Sequence, residues 1–140
     1  MIHFRLATSD PREVSEILEF WKSNAENGSR PTDTAEAIEA LVMKDPEALI
    51  LAVDNDEIVG TIIAGWNGWR SGLYRLAVRE DMRGQGIGRL LVERALERFR
   101  SLGIHRVDAM VLDDNEIAHT AWASYGFSRQ NNWSRWIKNL

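Results

Sequence analysis

The sequence predicts an α/β fold, a mixed central sheet flanked by helices, and three observations lead there. Strand-like and helix-like segments follow one another as strand, two helices, three strands, helix, strand, helix, strand. The three middle strands are separated by short polar turns, which makes them an antiparallel meander. From Leu73 to Leu112 a strand, a long amphipathic helix and a second strand follow in turn, a connection that makes the two strands parallel with a right-handed crossover.

Ile2 to Leu6 alternates apolar and polar residues and reads as the first strand. Ser9-Asp10-Pro11 combines a cap with a proline suited to a first helical turn, and Val14, Ile17, Leu18 and Trp21 then fall on one helical face through about Lys22. Asn24 to Pro31 is a polar loop. Thr32-Asp33-Thr34 caps a second helix carrying Ala37, Ile38, Leu41 and Val42, which ends before Pro46.

Ala48–Val53 and Ile58–Ala64 are strands around the turn Asp54 to Glu57. Asn67-Gly68 tolerates the positive φ of a tight turn, so a hairpin is expected there with Trp66 and Trp69 paired across it. Leu73 to Val78 is the next strand. Leu91, Ala95, Phe99 and Leu102 mark one face of a helix ended by Gly103. Val107 to Leu112 is nearly all apolar and reads as a central strand. Asp113-Asp114-Asn115 begins a helix with Ala118, Ala121 and Trp122, Gly126-Phe127 closes it, and Trp133 to Ile137 reads as a last strand.

Nothing in the 140 residues divides the chain, and a single domain over 1–140 is expected, large enough to bury a core. There is no cysteine, so neither disulfides nor thiolate chemistry is available. The N-terminal residues lack a signal-peptide run and no later segment approaches membrane-spanning length, so a cytoplasmic protein with no membrane partner is expected. A net charge of −4 argues against a general nucleic-acid binder. No metal site is expected.

The stretch MRGQGIGR, Met82 to Arg89, stands between the Leu73–Val78 strand and a long helix. A helix start presents unpaired N–H groups and the positive end of the macrodipole, and glycines let an anion approach the main chain. Arg83 and Arg89 add donors suited to phosphate oxygens. A nucleoside-triphosphate loop needs Gly-Lys-Ser/Thr, whereas Gly88 is followed by Arg89 and Leu90. A dinucleotide fingerprint needs a small residue where Arg89 stands, and the loop comes too late in the chain.

Arg83-Gly84-Gln85-Gly86-Ile87-Gly88 resembles the Arg/Gln-x-x-Gly-x-Gly/Ala signature of the GCN5-related N-acetyltransferases (GNAT), and Leu76-Ala77-Val78 fits the strand that precedes it in that family. Asn115, Ala118, Gly126 and Phe127 are similar to the family's Asn-x-x-Ala block ending in Gly-Phe. The resemblance implies the acyl-CoA N-acyltransferase fold and direct transfer of an acetyl group from acetyl-coenzyme A to an amine of a small molecule or peptide. It implies that the pyrophosphate sits on Arg83 to Gly88, with Arg89 and the helix start behind it. It further implies that the pantetheine arm pairs with main-chain groups at Leu76, Ala77 and Val78, between that strand and Val107–Leu112, near Asn115 and Trp122.

Two departures from the family stand out. Its usual Tyr, which can protonate a departing thiolate, is replaced by Trp122, whose indole is no acid near neutrality. Tyr125 or water is then the substitute. The two positions where some members carry a basic Glu are Gly72 and Met110, leaving Asp113, His119, Glu80, Tyr74 or a water chain as base. A noncatalytic coenzyme A-binding module and a nucleotide binder remain as alternative readings, as do monomer and homodimer. The tryptophans either line an acceptor pocket or pack the core.

Overall fold

The computed structural model describes residues 1–140, which divide into two compact units, 1–110 and 111–140. The first unit is a five-stranded sheet in the order β1 (Ile2–Leu6), β2 (Leu49–Asp54), β3 (Glu57–Trp66), β4 (Ser71–Val78), β5 (Asp108–Ala109). The first four strands are antiparallel and β5 runs parallel to β4.

Helix α1 (Pro11–Asn24) starts at Asp10, whose carboxylate accepts from the Arg12 amide, with Pro11 in the first turn. Helix α2 (Ala35–Lys44) starts at Thr34, whose hydroxyl accepts from the Ala37 amide. Both lie on one face of the sheet: Val14, Ile17, Phe20, Trp21, Ile38 and Val42 form a single buried cluster with Leu49, Leu51 and Val53. The period of two in a strand sends Ile50 and Ala52 to the opposite face, where α3 (Ile87–Ser101) buries Ile87, Leu91, Val92, Ala95 and Phe99. Gly60, paired with Ala52, permits this approach, since a Cβ there would stand 2.9 Å from Leu91 Cδ1. Arg98 joins α3 to the end of α2, donating to both carboxylate oxygens of Asp45 (2.9 and 2.7 Å) and to the Ala64 carbonyl (2.7 Å).

The turn between β2 and β3 has Asn55 and Asp56 both at positive φ, the geometry of a tight hairpin. The second hairpin differs from expectation. Trp66 pairs with Ser71, and the loop Asn67 to Arg70 closes when Asn67 Oδ1 accepts from the amides of Trp69 and Arg70. Trp69 therefore sits in the loop, exposed, with the Arg70 guanidinium 3.7 Å above its ring. Leu102 is half exposed because it follows the last turn of α3, as its C-cap, instead of lying on the buried face.

The expected central strand Val107–Leu112 contracts to Asp108–Ala109, and its one neighbour is β4, so it is an edge. A charged Asp108 at its start and the alternation of half-buried and exposed residues from Val107 to Met110 suit an edge and not a sheet centre. In the second unit, α4 (Glu116–Ser124) forms as expected, with Asn115 Oδ1 accepting from the Ala118 amide. The segment Trp133–Ile137 forms no strand: it has no ladder partner, and Trp133, Trp136 and Ile137 are exposed. Apolar content makes a strand only where another strand satisfies its backbone.

Candidate functional site

The sequence of β4 does not continue one regular ladder. Thr61 pairs with Ala77 and Ile63 with Tyr74, so Arg75 and Leu76 together oppose the single residue Ile62: a β-bulge. Arg75 takes φ +51, a conformation that costs a side-chain-bearing residue about 1–3 kcal/mol. Two sets of bonds hold it there. The Thr61 hydroxyl donates to the Arg75 carbonyl (2.8 Å) while accepting from the buried Trp21 indole N–H (2.9 Å). The buried Arg75 guanidinium donates to the Glu26 carbonyl (2.6 Å), to Asn27 Oδ1 (3.0 Å) and to the Asp33 carboxylate, 5.4 Å from the Trp21 ring centre.

Pairing with β5 covers only Gly72 and Leu73. From Tyr74 to Val78 the other edge of β4 has no strand beside it, and this edge runs into the glycine stretch through a single 3-10 turn, Glu80–Met82. Gly84 and Gly86 have φ of +78 and +86, and a Cβ at either would meet nothing within 4 Å. Gly86 caps α3 without a side-chain bond, no acidic residue lies in the first turn, and Gln85 and Arg89 are exposed. The result is an open strand edge continuous with an open helix N-terminus, the arrangement that accepts an extended chain ending in phosphate.

The side chains in and beside this stretch play different parts. Ile87 is buried against the Gly60 side of the sheet and Ala77 belongs to the core cluster, so both can serve a ligand only through main-chain groups. The Arg83 guanidinium is engaged by two carbonyls, Val78 (3.0 Å) and Asn24 (3.1 Å), fastening the loop to the end of α1. Asn24 Oδ1 also accepts from the Glu80 amide (3.3 Å). Arg79 holds Asp81 (2.7 Å) and Glu57 (3.0 Å), and the Arg79 hydrogen bonds keep the Asp81 carboxyl below its ordinary range.

Residues 111–140 carry the remaining candidates. Asp113 accepts from Arg129 (2.6 Å) on an exposed surface. His119 Nε2 lies 2.7 Å from the Leu112 carbonyl, which can only accept, so Nε2 carries the proton and a neutral ring leaves Nδ1 as its basic nitrogen. Asn115 spends its side chain as the α4 cap. Trp122 packs edge-to-face on Tyr125 (5.7 Å) and Phe127 (4.9 Å). Trp21 lies in the core, 2% exposed, and lines no open pocket.

The network of Trp21, Thr61 and Arg75 was invisible to the sequence reading, although Thr61 was a polar residue inside an apolar strand. Asp108 was missed as well. Its signal was a lone charge in the run Val107 to Leu112.

The sequence profile of the acetyltransferase (GNAT) family matches residues 13–127. An acetyltransferase of Sodalis glossinidius is 30% identical over 120 residues, covering 85% of this chain and 83% of that one. One of Pectobacterium atrosepticum is 35% identical over 79 residues, 56% of each chain, so the match spans about half the length of that relative. Among solved structures, Ard1 from Thermoplasma volcanium superimposes with a TM-score of 0.78 at 21% identity, over 93% of this chain and 84% of that one. Ribosomal-protein-alanine N-acetyltransferase from Brucella melitensis gives 0.76 at 21% identity, over 92% and 86%. Those two likenesses concern the fold. Together with the profile and the Sodalis relative, they show that this chain belongs to the GNAT acetyltransferase family.

Proposed function

We propose that the chain is an acetyl-coenzyme A-dependent N-acetyltransferase that passes the acetyl group directly to an amine of a small molecule or peptide. The observation that carries this reading is the open edge of β4, Tyr74 to Val78, leading through one 3-10 turn into Gly84 and Gly86 at the start of α3. The fit is chemical as well as spatial: a strand edge binds an amide-containing arm, and an uncapped helix start with room at two glycines binds its phosphates. Acetyl-coenzyme A would supply an activated acyl group as a thioester.

The protein's own part is to hold and orient. Main-chain groups of Leu76, Ala77 and Val78 fix the arm and polarise a carbonyl beside the bulge. Amides of Gly84 to Gly88, with Arg89, hold the phosphates, while Arg83 braces the loop from behind. The family resemblance adds Asn115 and Trp122 to the residues assigned to the cofactor. Asp113 and His119 are the proposed bases, with Nδ1 the atom that takes a proton in His119, and Tyr125 is the proposed acid. No helix is long and apolar enough to cross a membrane. A cytoplasmic monomer or homodimer, with no nucleic-acid or membrane partner, belongs to the same proposal.

Thiol release from acetyl-coenzyme A in the presence of a panel of primary amines and short peptides tests it. Amine-dependent release by the wild-type chain is expected. Tight acetyl-coenzyme A binding with no release for any amine supports the second reading, a noncatalytic coenzyme A-binding module, which the indole at Trp122 favours.

A further inference from the structure

On the face of the sheet that carries α1 and α2, the β3–β4 hairpin ends in two glycines paired with each other, Gly65 and Gly72. Tyr74 lies over both. A Cβ on Gly65 would stand 3.0 Å from Tyr74 Cε2, and one on Gly72 would stand 2.9 Å from the Tyr74 hydroxyl. The ring therefore runs along the sheet toward Gly72, over a floor without side chains. It is 52% exposed, and its hydroxyl makes no hydrogen bond within the chain. An aromatic face and a free hydroxyl oxygen are thus open to solvent at the point where β4 loses its β5 partner.

Gly72 is the register partner of Asp108 on β5. Register partners on neighbouring strands project to the same face of a sheet, so the Asp108 carboxylate rises on the face to which the Tyr74 hydroxyl leans, one strand away. Asp108 is exposed and pairs with Arg106, at 3.3 Å and two residues back in the chain. An exposed pair of this kind contributes little and exchanges readily for another cation.

We propose that Tyr74 and Asp108, above the Gly65–Gly72 floor, bind the acceptor as a primary alkylammonium ion. This rests on the amine-acceptor reading above and names where the cation is held. The carboxylate supplies charge, the ring supplies a π face, and the hydroxyl oxygen accepts an N–H bond. The glycine floor admits an unbranched alkyl chain alongside the ring. Cationic primary amines are then preferred over neutral or acidic compounds of the same shape.

Nuclear magnetic resonance titration of the labelled full chain with n-butylammonium chloride, and with n-butanol at equal ionic strength, tests the site without requiring turnover. Shifts at Gly72, Tyr74 and Asp108 with butylammonium but not butanol are expected. Asp108→Asn, nearly isosteric and exposed, should weaken the affinity about two- to fivefold, and Arg106→Ala should strengthen it. Equal shifts with butanol, or unchanged affinity in a folded Asp108→Asn chain, overturn the proposal. Acetyl-coenzyme A affinity is measured on the same samples. Its absence would remove the acetyltransferase reading, while the ammonium data would still decide this site.

Discussion

The Thr61 hydroxyl donates to the carbonyl of Arg75 while accepting from Trp21, so one buried side chain on β3 holds the main chain of the β4 bulge to the core of the sheet. Thr61→Val keeps the shape and removes both bonds, leaving the Trp21 indole N–H unpaired. We expect a stability loss of about 1–3 kcal/mol by urea denaturation and a weaker acetyl-coenzyme A affinity. Thr61→Ser, which keeps the hydroxyl, should retain most of both. An unchanged Thr61→Val chain would mean that the bulge is held elsewhere.

Arg75 ties residues 26, 27 and 33 to the same bulge. Arg75→Met should free the loop between α1 and α2, read as faster proteolytic cleavage within Asn24 to Pro31. Lysine cannot reproduce a fork of three acceptors, so Arg75→Lys should resemble Met more than wild type. Equal cleavage rates in all three chains would show that the loop does not depend on Arg75.

Neither the Thr61 hydroxyl network nor the Arg75 bulge is legible in the sequence. The meander, the helix caps at Asp10, Thr34 and Asn115, and the glycine stretch are local matters of turn and cap chemistry, and the sequence carried them. Arg75 at positive φ follows from a register shift between two strands, which no residue type announces. Asp108 was hidden for a similar reason: the apolar run from Val107 suited a sheet centre, and only the pairing to Gly72 makes it an edge strand. Trp133 to Ile137 had the composition of a strand and no partner to make it one.

Trp122 gives a mechanistic test. Its ring packs on Phe127 and Tyr125, and a phenol retains most of that surface. Trp122→Tyr should leave acetyl-coenzyme A affinity intact and raise turnover or broaden its pH range. Loss of binding would assign the indole a structural role instead.

Acid stability should depend on Glu13. Burial alone would raise its carboxyl, but hydrogen bonds from Arg5 and from the Thr8 amide and hydroxyl outweigh that and hold it below its ordinary value. A depressed folded value contributes stability that is fully present above about pH 4.5 and is lost as the pH falls through the folded value. Glu13→Gln should therefore lower stability at pH 7 and have progressively less effect below pH 4. Parallel stability curves for the two chains across that range would contradict the assignment.

The most direct measurement is calorimetric titration of the wild-type chain and of Gly86→Glu with acetyl-coenzyme A, with ATP and NAD as controls at the same salt. Gly86 adopts φ +86 with open space where a side chain would stand, so Glu there sets bulk and negative charge at the start of α3. Micromolar or tighter binding of acetyl-coenzyme A alone, abolished in a folded Gly86→Glu chain, is the expected result. No binding by folded wild type, or equal binding by both chains, would contradict the account of the glycine stretch as the acyl-donor cradle.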